Sequence, residues 1–122
     1  MKIIKTPNAP AAIGPYSQGY AANGFVFTSG QIGIDPKTGE VAQGVAAQAE
    51  QSCKNVGAVL EAGGVDFSRV IKTTCFLADM ADFAVFNEVY AKYFTSLPAR
   101  SCVAAKALPK GVLCEIEAIA MK

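Results

Sequence analysis

The sequence predicts an α+β fold, with one antiparallel or mixed β-sheet and two helices packed on one of its faces. The apolar pattern gives the element order β-β-β-α-β-α-β-β, and each helical segment carries a single apolar stripe. Two such helices bury their stripes by packing side by side on one sheet. With 122 residues and no repeat or interdomain linker, the chain is predicted to form one domain over residues 1–122.

The first predicted elements are an edge strand, a loop and a hairpin. Residues 2–5 form a short apolar and basic strand. Residues 7–16 hold three prolines and a glycine, a composition typical of a loop. Strands at 17–22 and 25–34 flank Asn23-Gly24, which is the strongest short-range signal for a hairpin. These segments supply the first three strands.

The middle of the chain is predicted to alternate helix and strand. After a turn at 35–39, apolar residues recur at helical spacing from about 43 to 62, and a Gly-Gly pair ends that helix. Residues 69–78 are rich in β-branched side chains, which favour a strand. Asp79 or Asp82 caps a second helix, which carries its aromatic residues on one face.

The last segment, residues 97–120, carries the charged residues that point to a site. It is predicted to form two short strands joined by a Pro-Lys-Gly turn. Its candidate site residues are Arg100, Cys102, Glu115 and Glu117. If the hairpin closes with Ala107 opposite Val112, all of them share one surface, because residues opposite each other point the same way. A slip of one residue separates them.

Arg100 has two interpretations. Arginine and glutamate are costly to bury unless each finds a partner. Arg100 is therefore either half of a structural ion pair with a glutamate or part of a binding site. The planar guanidinium can hold both oxygens of a carboxylate, which makes a small acid the natural ligand.

The composition predicts an oligomer. Hydrophobic residues make up 52% of the chain and charged residues only 17%, against about 25% in typical domains. A monomer of this composition has few polar groups to cover its surface, although a compact monomer rich in alanine and glycine is the alternative. The net charge of +1 provides no field to attract nucleic acid or a membrane.

Several kinds of chemistry are excluded. The chain has no histidine, so it holds no Ser-His-Asp or Cys-His system and no histidine-containing metal site. It also lacks the glycine-rich motifs that bind nucleotides, and no metal or cofactor is expected. The first residues show no export signal, which predicts a cytoplasmic protein with reduced thiols. Of these thiols, Cys53, Cys75 and Cys114 are expected in the core.

Short motifs along the whole chain resemble the Rid family, the reactive intermediate deaminases also called YjgF-like proteins. The motifs, in chain order, are Ile13–Gln18, Thr28–Ile32, Pro98–Val103, Leu108–Gly111 and Glu115–Ala118. Each is weak alone, but their order and spacing together are specific. One departure is the link from Tyr93-Phe94 to Pro98, which is short for this family.

The resemblance implies a fold and an activity. The fold would be chorismate-mutase-like, forming a homotrimer with ligand pockets between subunits. The activity would be hydrolysis of 2-iminobutanoate and 2-iminopropanoate, released by pyridoxal-phosphate enzymes, to 2-oxoacids and ammonia, with no cofactor. The alternative is a non-catalytic trimer that binds a small carboxylate. RNA cleavage, ascribed to some relatives, and a chaperone role are further rivals.

The resemblance also implies roles for individual residues. Arg100 would bind the substrate carboxylate, and Glu115 would activate water, with Glu117 as the competitor for that role. Residues that would contact the ligand are Cys102, Tyr16, Ser29, Gly30 and Asn87. Each has an ordinary alternative: Tyr16 as loop packing, Ser29 and Gly30 as a polar strand end, and Asn87 as a solvent-facing helix residue. Cys102 could instead be a nucleophile, although no histidine activates it.

Overall fold

A computed structural model describes residues 1–122 as one mixed sheet with two α-helices. The strands are β1 (Lys2–Ile4), β2 (Gly19–Ala22), β3 (Phe25–Thr28), β4 (Gln31–Ile32), β5 (Val70–Leu77), β6 (Ala99–Ala104) and β7 (Cys114–Met121). The helices are α1 (Val45–Ala62) and α2 (Phe83–Tyr93). Neither helix combines the length and the apolar character needed to cross a membrane. The predicted α+β class with a mixed sheet and two helices is confirmed.

The two helices cover one face of the sheet and enclose the core with it. Buried side chains from α1, α2 and alternate positions of β5 and β7 form one apolar cluster. The predicted stripe of α1 is buried in this cluster at Ala49, Cys53, Val56 and Leu60. The predicted Gly-Gly stop is found directly after Ala62: Gly63 is the C-cap, and the following Gly64 has a φ of +83°, which glycine adopts without strain.

The sheet order is β1-β2-β3-β7-β5-β6, with β4 also paired to β7. All neighbouring strands are antiparallel except β5 and β6, which are parallel. Parallel neighbours need a long crossover, and α2 supplies it. β7 lies at the centre of the sheet, and its residues alternate between buried and half-buried positions along most of its length.

The predicted final hairpin is wrong. β6 and β7 do not pair, because β5 lies between them. The segment between them is a loop with a 3₁₀ turn at Pro109–Gly111, so Ala107 does not pair with Val112. The expectation rested on chain proximity alone, whereas the helix before β6 directs that strand into parallel pairing with β5.

This topology separates the charged residues of the last segment. Arg100 lies beside Thr73 of β5, and Glu117 lies beside Thr74. Successive strand residues point to opposite faces. The helix-covered face therefore receives Arg100, and the open face receives Glu117. The same reasoning places Glu115 on the open face, so the predicted single surface does not exist within one chain.

The short link after α2 is a tight connection. Phe94 is buried in the core, and the hydroxyl of Ser96 donates a 2.7 Å hydrogen bond to the carbonyl oxygen of Val70. Leu97 has a left-handed φ of +53° and a side chain that is 87% exposed. The link thus forces an apolar residue into an unfavourable backbone conformation just before β6.

Candidate functional site

The residues that the sequence singled out fall into two groups. The acid half-site consists of Tyr16, Ser29, Gly30 and Glu115, which line one cavity of about 640 Å³. The arginine half-site consists of Asn87, Arg100 and Cys102, on α2 and on the edge strand β6. Because the carboxylate and the guanidinium lie on opposite faces of the sheet, one chain does not bring the two half-sites together.

A β-bulge between β3 and β4 shapes the acid half-site. The extra residue lies between two strand pairs, Phe27–Ile119 and Gln31–Ile116. The hydroxyl of Thr28 replaces the missing backbone acceptor and receives a 3.0 Å hydrogen bond from the N–H of Ala118. The bulge turns the next two residues, Ser29 and Gly30, out of the regular ladder and towards the cavity.

Gly30 lies directly against the carboxylate of Glu115. A Cβ atom at this position would overlap Oε2 of Glu115 and come within 2.8 Å of its Cδ. Any side chain here would displace the carboxylate. This contact is a physical reason for glycine at the position, independent of backbone conformation.

The hydroxyl of Ser29 is oriented by its neighbour. Nε2 of Gln31, a buried residue, donates a 3.1 Å hydrogen bond to Oγ of Ser29. Since the amide N–H can only donate, the Ser29 oxygen accepts in this bond and its own proton is free. The Ser29 side chain can therefore donate a hydrogen bond inside the cavity.

Glu115 is half-buried beside this bulge. Burial raises the pKa of Glu115, and the nearby charge of Glu117 raises that pKa further. A carboxyl group that holds its proton to higher pH than usual is suited to proton transfer near neutral pH. Of the two glutamates, it is Glu115 that lines the cavity.

Gln18 anchors the loop that forms the outer wall of the cavity. Its side-chain Nε2 donates hydrogen bonds of 2.8 to 3.2 Å to the carbonyl oxygens of Thr6, Ala9 and Pro10. Its Oε1 accepts a 2.7 Å bond from the N–H of Thr6. The loop then presents Tyr16, which lines the cavity with its side chain 53% exposed.

The guanidinium of Arg100 is held by helix α2. Its Nη1 donates a 2.8 Å hydrogen bond to Oδ1 of Asn87. The guanidinium carbon lies 4.7 Å from the ring centre of Tyr90 and 5.4 Å from that of Phe83. The Asn87 side chain is thus directed at Arg100 rather than at solvent, and within the chain Arg100 is on the face opposite both glutamates.

Cys102 is half-buried on the same strand as Arg100. Burial raises the pKa of the Cys102 thiol, while the charge of Arg100 acts in the opposite direction. A raised pKa keeps the thiol protonated, and the thiol is a weak nucleophile in that form. This disfavours the nucleophile interpretation, and a role for Cys102 beside the ligand stays a prediction. The other cysteines are buried in the core as predicted.

Sequence reasoning did not assign roles to four residues that support the half-sites. These are Gln18, Thr28, Gln31 and Tyr90. The first three lie within or beside the family motifs, so position alone could have drawn attention to them. Tyr90 was predicted only as part of the apolar face of α2, and nothing local in the sequence indicates a contact with Arg100.

The chain is similar to known proteins over its whole length. The profile of the family described as Endoribonuclease L-PSP matches residues 6–122. A 2-iminobutanoate/2-iminopropanoate deaminase of Salmonella typhimurium is 54% identical over 125 residues, covering 99% of this chain and 98% of the relative. The human protein of the same name is 50% identical over 123 residues, covering 99% of this chain and 90% of the relative.

Solved structures agree with these relatives. The crystal structure of the yjgF gene product of Escherichia coli is 52% identical, with a TM-score of 0.96, and the match covers 100% of this chain and 99% of that chain. The crystal structure of E. coli TdcF with bound serine is 48% identical, with the same TM-score and coverage. The protein therefore belongs to the Endoribonuclease L-PSP family, also called the YjgF/Rid family.

Proposed function

We propose that this protein is an imine deaminase that hydrolyses 2-iminobutanoate and 2-iminopropanoate to the corresponding 2-oxoacids and ammonia. The observation that carries the proposal is 54% identity to the Salmonella deaminase over 99% of this chain. The geometry supports it, because a cavity lined by a carboxyl group of raised pKa is suited to activating water.

In the proposed reaction, Arg100 holds the substrate carboxylate through paired hydrogen bonds. Glu115 takes a proton from water as the water oxygen bonds to the C=N carbon, and it returns that proton to the nitrogen, which gives a carbinolamine. The hydroxyl proton of the carbinolamine then passes to the amino group, so that the C–N bond breaks, ammonia leaves and the C=O bond of the 2-oxoacid forms. Imines are reactive towards water, so positioning and one acid-base group provide the catalysis.

We further propose that the reaction takes place between subunits of a homotrimer. A site that needs both Arg100 and Glu115 must take them from different chains, because within one chain they lie on opposite faces of the sheet. Oligomerisation would also cover the open face, whose exposed large apolar side chains are Ile3, Tyr20, Phe27, Val103 and Met121. Exposed apolar side chains gathered on one face of a sheet are typical of a protein interface.

Complementation between inactive variants tests the shared site. Arg100→Lys keeps the charge but loses the bidentate fork, and Glu115→Gln keeps the size but cannot take a proton. Each variant alone should lose most of its ammonia release. Co-refolding equal amounts should restore roughly a quarter of wild-type activity, because random assembly pairs an intact arginine with an intact glutamate at that frequency.

The control mixes Arg100→Lys with the double variant Arg100→Lys/Glu115→Gln, which supplies no intact arginine and should recover nothing. No recovery from the complementary mixture, in trimers shown by mass spectrometry to be mixed, would place both residues in one chain's site. Full activity of both single variants would instead show that neither side chain is needed for the reaction, and the absence of wild-type ammonia release above the uncatalysed rate would show that the deaminase assignment is wrong.

A second function has one observation in its favour. The TdcF structure, 48% identical to this chain, contains bound serine, an amino acid with a carboxylate. A protein that binds small carboxylates without turnover would use the same arginine. Steady-state ammonia release from an imine generated in the assay separates the two, since a binding protein produces none above the uncatalysed rate.

The family description also names an endoribonuclease. RNA binding relies on a basic surface, whereas this chain has a net charge of +1 and no histidine for acid-base cleavage. The deaminase is therefore the proposal. The cytoplasmic location stays a prediction from the sequence.

A further inference from the structure

We propose that Tyr90 is a positioning residue that fixes the plane of the Arg100 guanidinium and thereby the direction from which the substrate carboxylate approaches. The inference rests on the proposed role of Arg100. It concerns a residue outside the family motifs described above, in the apolar face of α2.

The contact between the two side chains is a cation–π interaction. The guanidinium carbon lies 4.7 Å from the centre of the Tyr90 ring, inside the range of about 6 Å over which such contacts are favourable. Phe83 is more distant, at 5.4 Å. The hydrogen bond to Asn87 occupies one N–H of Nη1. Arg100 is thus restrained by a ring and by one directional bond.

Tyr90 is itself immobilised. Its hydroxyl shares a 2.7 Å hydrogen bond with the hydroxyl of Thr73, a fully buried residue. Its ring stacks on Phe94 with centroids 4.4 Å apart. Thr73 is also the residue beside Arg100 in the pairing of β5 and β6. The ring that supports the guanidinium is therefore tied to the strand that borders it.

This arrangement has a chemical consequence. Bidentate binding of a carboxylate requires its oxygens to lie in the guanidinium plane. With the guanidinium held over the Tyr90 ring and one N–H bonded to Asn87, the remaining N–H groups are left for the carboxylate. Without the ring, the long side chain would sample several rotamers, and the ligand would have to restrict them on binding. The expected effect is on binding of the carboxylate more than on the chemical step.

Binding of 2-oxobutanoate, measured by calorimetry on the assembled protein, tests the proposal. Tyr90→Leu removes the ring and should weaken binding about tenfold. It should raise KM by a similar factor with little change in kcat. Tyr90→Phe keeps the ring but loses the bond to Thr73, so it should weaken binding less than threefold. Leu60→Val is the control: Leu60 is a fully buried core residue near the end of α1, away from the aromatic group around Tyr90. It should lower stability but leave the Kd unchanged.

Equal changes in Kd for Tyr90→Leu and Leu60→Val would overturn the proposal, because the loss would then reflect general packing. Arg100→Lys separates the positioning role of Tyr90 from the carboxylate-binding role of Arg100. If Arg100→Lys weakens binding and Tyr90→Leu does not, the positioning role is wrong and the role of Arg100 survives. If Arg100→Lys leaves the Kd unchanged, both fail.

Discussion

Glu115 combines the properties of a proton carrier with a crowded environment. Gly30 touches its carboxylate, Ser29 lies nearby with a free hydroxyl proton, and Glu117 is on the same face of the strand. These neighbours restrict the carboxylate without neutralising it. The raised pKa of Glu115 therefore follows mainly from burial of its carboxyl group. Substitution of Glu115 can test its role.

Glu115→Gln should lower imine hydrolysis by about 10²- to 10⁴-fold, the usual contribution of one acid-base group. Affinity for 2-oxobutanoate should change little, since glutamine keeps the size of the side chain. The same substitution at Glu117 is the control and should have a much smaller effect. A large loss at Glu117 with none at Glu115 would assign the role to the other glutamate.

The same variant should also change stability with pH. The pKa of Glu115 is raised in the folded state, so the protonated carboxyl group stabilises the folded state. This stabilisation is complete below the unfolded pKa of about 4.3, and it is lost as the pH rises through the folded pKa. Glutamine stays neutral throughout. Glu115→Gln should therefore have a higher Tm than the wild type at pH 7, with the difference disappearing near pH 4. A lower Tm at pH 7 would contradict this.

Among the secondary-structure elements, the bulge between β3 and β4 determines where Ser29 and Gly30 lie in the acid half-site. It depends on one side chain, since the Thr28 hydroxyl satisfies the N–H of Ala118, and both residues are buried. The bulge also explains why a strand predicted as continuous from 25 to 34 is divided in two. A polar pair of residues in the middle of a β-rich run, Ser29-Gly30, is the local sign of such a break.

Thr28→Val should destabilise the protein by about 1–3 kcal/mol, because it leaves the buried N–H of Ala118 without an acceptor. It should also lower kcat/KM by moving Gly30 relative to Glu115. Thr28→Ser keeps the hydroxyl and should retain most of both quantities. Urea denaturation and steady-state kinetics on the two variants provide the comparison. Equal losses would show that the methyl group, not the hydroxyl, is important.

The elements were largely predictable from the sequence, but their arrangement was not. Periodicity located both helices and the Asn23-Gly24 hairpin, because those signals are local. The position of β7 depends on long-range pairing with β3 and β5, which no local pattern encodes. For the same reason the motif residues could be named, yet their division between two faces of the sheet could not.

At the scale of the whole molecule, the open face of the sheet controls assembly in our proposal. Val103→Asp places a charge on that face, where the wild-type valine is 48% exposed in the single chain. It should dissociate the oligomer and abolish activity while the fold persists. Val85→Asp, on α2 at 43% exposure, is the control and should leave assembly intact. Light scattering and circular dichroism distinguish these outcomes, and a Val103→Asp protein of unchanged size would remove this face from the proposed interface.

The separation of Arg100 and Glu115 by the thickness of a sheet has a kinetic consequence. In the proposed mechanism an isolated chain would have no complete site, because Arg100 and Glu115 would not meet. The turnover per chain would therefore depend on the protein concentration. At concentrations below the dissociation constant of the oligomer, the protein would lose its activity, and it would regain that activity when the chains reassociate. The rate would then rise more steeply than linearly with the amount of protein, and a dilution series of initial rates would report how tightly the chains associate.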